Sequence, residues 1–123
     1  MTLTAKLSII GIGALLLALV VAFAANPLTR SDEALHAWLL RRVPVGSDIE
    51  HLKSVASEEN WKIWATWTRG EHSGWAGIDG DTIVRVQLGH YYAPFRTDLS
   101  SFWAFDASGH LVDVLTRRET DAP

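Results

Sequence analysis

Hydrophobic and polar positions divide the chain into three regimes. Residues 7–25, LSIIGIGALLLALVVAFAA, are apolar on every side and carry no charge. As a helix rising about 1.5 Å per residue the stretch is ~28 Å long, close to the ~30 Å hydrocarbon core of a bilayer. A helix apolar all round offers water no face, so this one is expected in a membrane. Residues 1–25 therefore read as a signal peptide or an N-terminal transmembrane anchor. Ala22-Phe23-Ala24 is a small-x-small cleavage site ahead of Ala25. The length exceeds an ordinary signal core and favours the retained anchor.

Asn26-Pro27 ends that segment, because proline cannot continue a helix and restricts the residue before it. The next period is helical. Leu35, Trp38 and Leu39 share one face, Ser31 or Thr29 can cap the start, and Asp32 and Glu33 suit the positive end of the dipole. Arg41-Arg42 suit the other end, and Pro44 and Gly46 stop the helix. A second helix is predicted over residues 47–59. Ser47 and Glu50 form a capping box, and Ile49, Leu52, Val55 and Ala56 form the apolar stripe.

From Trp61 the period becomes two. Trp61, Ile63, Ala65 and Trp67 alternate with Lys62, Trp64, Thr66 and Thr68, which predicts a strand with one face buried. A Gly-rich loop follows, RGEHSGWAGIDGD. In residues 82–88, Val84, Val86 and Leu88 alternate with Ile83, Arg85 and Gln87, and Tyr91-Tyr92 continue extended toward Pro94. Residues 101–121 read as a hairpin. Asp106-Ala107-Ser108-Gly109 suits a type I turn closed by a left-handed glycine. Pairing Asp106 with His110 aligns Ala104 with Val112 and Phe102 with Val114. Both faces of that hairpin are apolar. One is expected to meet the helices, and the other to need a second cover, a partner chain or a ligand. The fold class is α+β: after the membrane or signal helix, two short helices pack on a three- to four-stranded antiparallel sheet within residues 26–123.

Composition narrows the function. The net charge is −3 with no basic block, so nucleic acid is not an expected partner. Arg41-Arg42 and Arg117-Arg118 read as solvated element ends. The absence of cysteine excludes disulfides, thiolate metal sites and an N-terminal lipid-modified cysteine. Lys6 favours an inside N-terminus, whereas Arg30, Arg41 and Arg42, which follow the span, weigh the other way. The expected location is the bacterial inner membrane, with the folded domain in the periplasm.

Pro44-Val45-Gly46-Ser47 opens the second helix, and Phe102 to Leu111, followed by Val112 to Val114, closes the chain as an aromatic-Phe-Asp-x-x-Gly-x-Leu hairpin. In these motifs, and in its order of two helices then three or four strands, the chain resembles the small outer-membrane assembly lipoproteins (SmpA/OmlA, or BamE) and the related β-lactamase-inhibitor-protein fold. The likeness covers roughly residues 44–118. It implies a sheet backed by helices that acts through protein contacts, without cofactor or catalysis. The missing lipobox cysteine separates this chain from the outer-membrane assembly role of those lipoproteins and leaves the fold.

Candidate chemistry is sparse. His36, His51, His72, His90 and His110 make no metal-ligand spacing. Ser73-Gly74 and Ser108-Gly109 lack a nucleophile elbow. Asp79-Gly80-Asp81 lacks the further oxygens of a calcium loop. No catalytic, cofactor-binding or metal residue is assigned. His90 with a carboxylate, Asp98 or Asp106, is the one acid–base alternative.

The tryptophans carry more information. Trp38, Trp61 and Trp67 fit the core. Trp64 alternates onto a polar face and Trp75 lies in the Gly-rich loop, where exposed tryptophan anchors interfaces or stacks on sugars. Tyr91, Tyr92 and Trp103 are secondary binding candidates, with Arg85 and Gln87 as orienting polar groups. The expected function is a non-enzymatic envelope protein contacting another protein through its sheet. The alternative is binding of a glycan or peptidoglycan fragment.

Overall fold

Ser31 caps the first helix of the folded domain: its Oγ accepts from the Ala34 amide at 3.2 Å. The computed structural model describes residues 3–68 and 77–121. In chain order the helices are α1 (Leu3–Ala25), α2 (Asp32–Arg42) and α3 (Ile49–Glu59), with a 3-10 turn, Pro27–Thr29, between α1 and α2. The strands are β1 (Lys62–Thr68), β2 (Thr82–Tyr92), β3 (Arg96–Phe105) and β4 (Leu111–Thr120), and they form one antiparallel sheet in the order β1-β2-β3-β4.

The helices cover one face of the sheet. Leu35 and Leu39 of α2, with Leu52 and Val55 of α3, meet Val84, Val86 and Leu88 of β2 and Leu99, Trp103 and Phe105 of β3. Each such aliphatic side chain taken from water contributes about 1.5–3 kcal/mol. The α+β expectation stands, and the sheet has four strands.

Three β-bulges adapt the alternation to this core. Trp64 is the extra residue of β1 between Ile63↔Val86 and Ala65↔Arg85. Leu88 is the extra residue of β2 between Gln87↔Ser100 and Gly89↔Leu99. Val112 is the extra residue of β4 between Phe105↔Leu111 and Ala104↔Asp113. A bulge adds one residue to one strand and so changes which later side chains face the core. The expected pairing of Ala104 with Val112 and Phe102 with Val114 is corrected accordingly: Trp103 pairs with Val114 and Phe102 with Leu115. The same effect moves Trp67 off the face of Ile63. Ile63 packs on the main core, whereas Trp67 packs with Ile83 and Phe102 on the opposite face.

That opposite face needs no partner chain to be buried. Ile83 and Phe102 are packed under Trp67, Ile78 and Leu115, so of the expected alternatives, a second cover, a partner chain or a ligand, the chain's own side chains supply the cover. The cap of α3 differs too. Asp48, not Ser47, accepts from the His51 amide, at 2.8 Å. Ser47 is held by β4 instead: its carbonyl accepts from Leu111 N at 2.7 Å, and Gly46 N donates back to Leu111 O at 2.8 Å.

α1 runs 23 residues. Its residues 8–21 are exposed throughout, with no cover from the other described residues. Among the described residues, no helix is long and apolar enough to cross a membrane.

Candidate functional site

Trp64, at the β1 bulge, faces outward, 56 % exposed, where the Arg85 guanidinium carbon lies 4.4 Å from its ring centroid. Arg85 also lies 5.6 Å from the Phe102 ring, and Arg117 approaches the same ring at 5.0 Å. Cation–π contacts of this kind contribute about 0.5–1 kcal/mol at exposed sites. The outer sheet face is thus an apolar floor, Ile83 and Phe102, overlaid by two guanidinium planes with Trp64 at its edge. Nearby, Ser100 Oγ donates to Gln87 Oε1 at 3.1 Å. Arg85 and Gln87, expected to orient a partner, lie on this face beside Trp64. Arg85 Nε is buried with no hydrogen-bond partner among the described residues.

The remaining sequence candidates are scattered. Trp103 is fully buried and stacks on Trp61 with ring centroids 6.1 Å apart. Its Nε1 donates to Ser101 Oγ at 2.8 Å, and that hydroxyl donates to Val86 O at 3.0 Å. Trp103 is therefore corrected from surface candidate to core: β3 pleats it inward, toward the helices. Trp75 and His72 lie outside the described residues. Tyr91 is half-buried against the core, while Tyr92 is 62 % exposed near the β2–β3 turn.

His90 and Asp98 are register partners across β2 and β3. His90 is exposed, with its ring 5.7 Å from that of Tyr92. The Asp98 carboxylate accepts from Arg96 Nε at 3.2 Å, and this bond and the carboxylate's charge raise the Arg96 pKa. His36 Nε2 bonds Asp113 at 2.8 Å, and His110 lies 3.9 Å from Asp106. Among the described residues no group of three or more His, Cys, Asp or Glu side chains could hold a metal.

Arg118 is the group that sequence reading missed. Its Nε donates to Asp32 at 2.8 Å, Nη1 to Leu28 O at 2.7 Å and to the Tyr91 hydroxyl at 2.8 Å, and Nη2 to Arg30 O at 2.6 Å. Burial works against its charge, but the bonds to Asp32 and Tyr91 outweigh it and raise the pKa. Arg117 and Arg118 are thus not a solvated pair: one lies over Phe102, and the other clamps the segment between α1 and α2. The signal was their place on a strand, where neighbours point to opposite faces.

Compared with family models, curated proteins and solved structures, the chain has no match.

Proposed function

We propose that the chain is a non-enzymatic protein of the bacterial envelope, held in the inner membrane by α1, with its α+β domain in the periplasm contacting another protein through the outer sheet face around Trp64 and Arg85. The observation that carries the contact is the exposed Trp64 indole preorganised against Arg85 at 4.4 Å. Tryptophan and arginine are the residue types that dominate interface energies. The partly exposed stack costs little further ordering when a partner covers it. One indole face is already occupied by a guanidinium, which favours a protein over a stacked sugar. Support for the anchor is the apolar composition of α1 and the exposure of residues 8–21: so long an apolar surface in water is strongly disfavoured. The order α2, α3 and four strands is the order shared with the BamE-like proteins, and it supports protein contact as the kind of function.

A photo-crosslinking amino acid at position 62, exposed and paired with Gln87, tests the contact in cells. A discrete adduct is expected, lost on Trp64→Ala and on Arg85→Ala, and absent from a probe at Ser57 on α3. Adducts indifferent to both substitutions would remove the reading. Tryptophan fluorescence that shifts on adding soluble peptidoglycan fragments, and stays unshifted in Trp64→Ala, would move it to glycan binding.

A further inference from the structure

α1 is joined to the domain with almost no slack. Asn26 Oδ1 accepts from the Leu28 amide at 3.0 Å, and Asn26 O accepts from the Thr29 amide at 3.1 Å and its hydroxyl at 2.8 Å. Arg118 then grips the carbonyls of Leu28 and Arg30. Leu28 is buried against Gly89, where an added Cβ would lie 3.0 Å from Leu28 Cδ1. Only Asn26 and Pro27 lie between Ala25 and Leu28, and the three steps reach at most ~11 Å. The Gly89 end of the sheet is therefore held close to the end of α1.

Gly89, Leu99 and Arg118 form one row across the sheet. Most of the domain lies on one side of this row, toward the β3–β4 turn. On the other side β2 runs three more residues to Tyr92, about 10 Å at the rise of a strand. It turns through Ala93-Pro94-Phe95, where the Ala93–Pro94 bond is cis. Tyr92 is 62 % and Phe95 44 % exposed. Beyond α1, the other large exposed apolar side chains among the described residues are Val45, Trp64 and Val112. The hairpin end thus gathers two exposed aromatics at the end of the domain tied to α1.

We propose that the β2–β3 turn seats Tyr92 and Phe95 in the headgroup region of the same bilayer that holds α1, setting the domain's tilt on the membrane. The inference rests on the reading of α1 as a membrane anchor. Its physical basis is the preference of aromatic side chains for the membrane–water boundary, where an apolar ring and a polar edge are both satisfied. The occupant is lipid because the Leu28–Gly89 contact and the Arg118 clamp hold this end within a few residues of the apolar helix. Arg96 is already paired with Asp98, so no requirement for anionic lipid follows.

The chain has no cysteine, so single cysteines can carry a fluorophore. Leu16→Cys, Phe95→Cys and Val112→Cys, each in the full chain, are reconstituted in phosphatidylcholine vesicles. The vesicles carry nitroxide either near the headgroup or deep in the acyl chain. Expected are strong quenching of position 16 by the deep nitroxide, strong quenching of position 95 by the shallow one, and several-fold weaker quenching at 112. A label at Tyr92→Cys should also be quenched by the shallow nitroxide, and less so when Phe95→Ser is added. If position 16 is quenched while 95 and 92 behave like 112, the anchor stands and the seating is wrong. If position 16 is not quenched, the anchor reading fails and the seating falls with it.

Discussion

The guanidinium of Arg118 donates to the backbone carbonyl of Leu28 at 2.7 Å, across 90 positions of sequence. With the bonds to Arg30, Asp32 and Tyr91, this contact joins the segment after α1 to two strands. Arg118→Ala is expected to cost about 2–4 kcal/mol, because bonds to a charged donor contribute about 1.5–3 kcal/mol each and are not additive. Arg118→Lys should recover part of this, since an ammonium cannot match the fork. The check is the thermal midpoint of the full chain in detergent, which moves by roughly 4–8 °C per kcal/mol in a domain of this size. Because the folded pKa of Arg118 is raised, its contribution is fully present below the ordinary arginine value and is lost only above it. The difference between wild type and Arg118→Ala should therefore stay constant from neutral to mildly alkaline pH.

Ser101→Ala should destabilise by about 1–3 kcal/mol, the cost of leaving a buried donor unsatisfied. The hydroxyl removed is the acceptor of the Trp103 indole N–H, and both residues are wholly buried. Trp103→Phe removes donor and acceptor need together. The double variant is expected to lose less than the sum of the singles, as a double-mutant cycle on chemical denaturation would reveal.

The β3–β4 turn offers a contrast between side chain and backbone. Asp106 Oδ1 accepts from Ser108 N and from His110 N, both at 2.9 Å, so Asp106→Ala should cost about 1–2 kcal/mol. Gly109 sits at φ +82° with open space where a Cβ would go. Gly109→Ala should therefore cost only the left-handed backbone term, about 1–2 kcal/mol, and Gly109→Asn less. Hydrogen exchange of the turn amides separates the two effects.

Retention of α1 has a direct readout. Mass spectrometry of the chain recovered from membranes should give an N-terminus within the first residues and resist alkaline extraction. A species beginning at Ala25 would mean that the segment is removed.

Local chemistry made the secondary structure legible. Ser31 and the Asp106–Gly109 turn do what their side chains permit in any context: a hydroxyl accepting three residues on, a carboxylate collecting turn amides, a glycine at positive φ. Ser47 and Asp48 can both cap by side-chain chemistry, and the choice of Asp48 depends on where the Ser47 carbonyl is spent. It is spent on Leu111, a residue 64 positions away that no local rule could nominate.

The candidate site was legible only in outline. Trp64 stood out by alternation onto a polar face, and its exposure follows from that position. Its stack on Arg85 depends on the β2 register, and the inward direction of Trp103 has no sequence mark, because it lies in a strand apolar on both faces.

From residue order alone follow the apolar helix, the two amphipathic helices, the alternating strands and the turn, because each depends on neighbours within a few positions. Long-range pairing was needed for the rest: three bulges that reassign faces, the enclosure of Phe102, and the clamp of Arg118 on the α1–α2 segment. The physical reason is that a strand presents side chains with period two, so a single extra residue, visible only against its partner strand, exchanges inside and outside for everything beyond it.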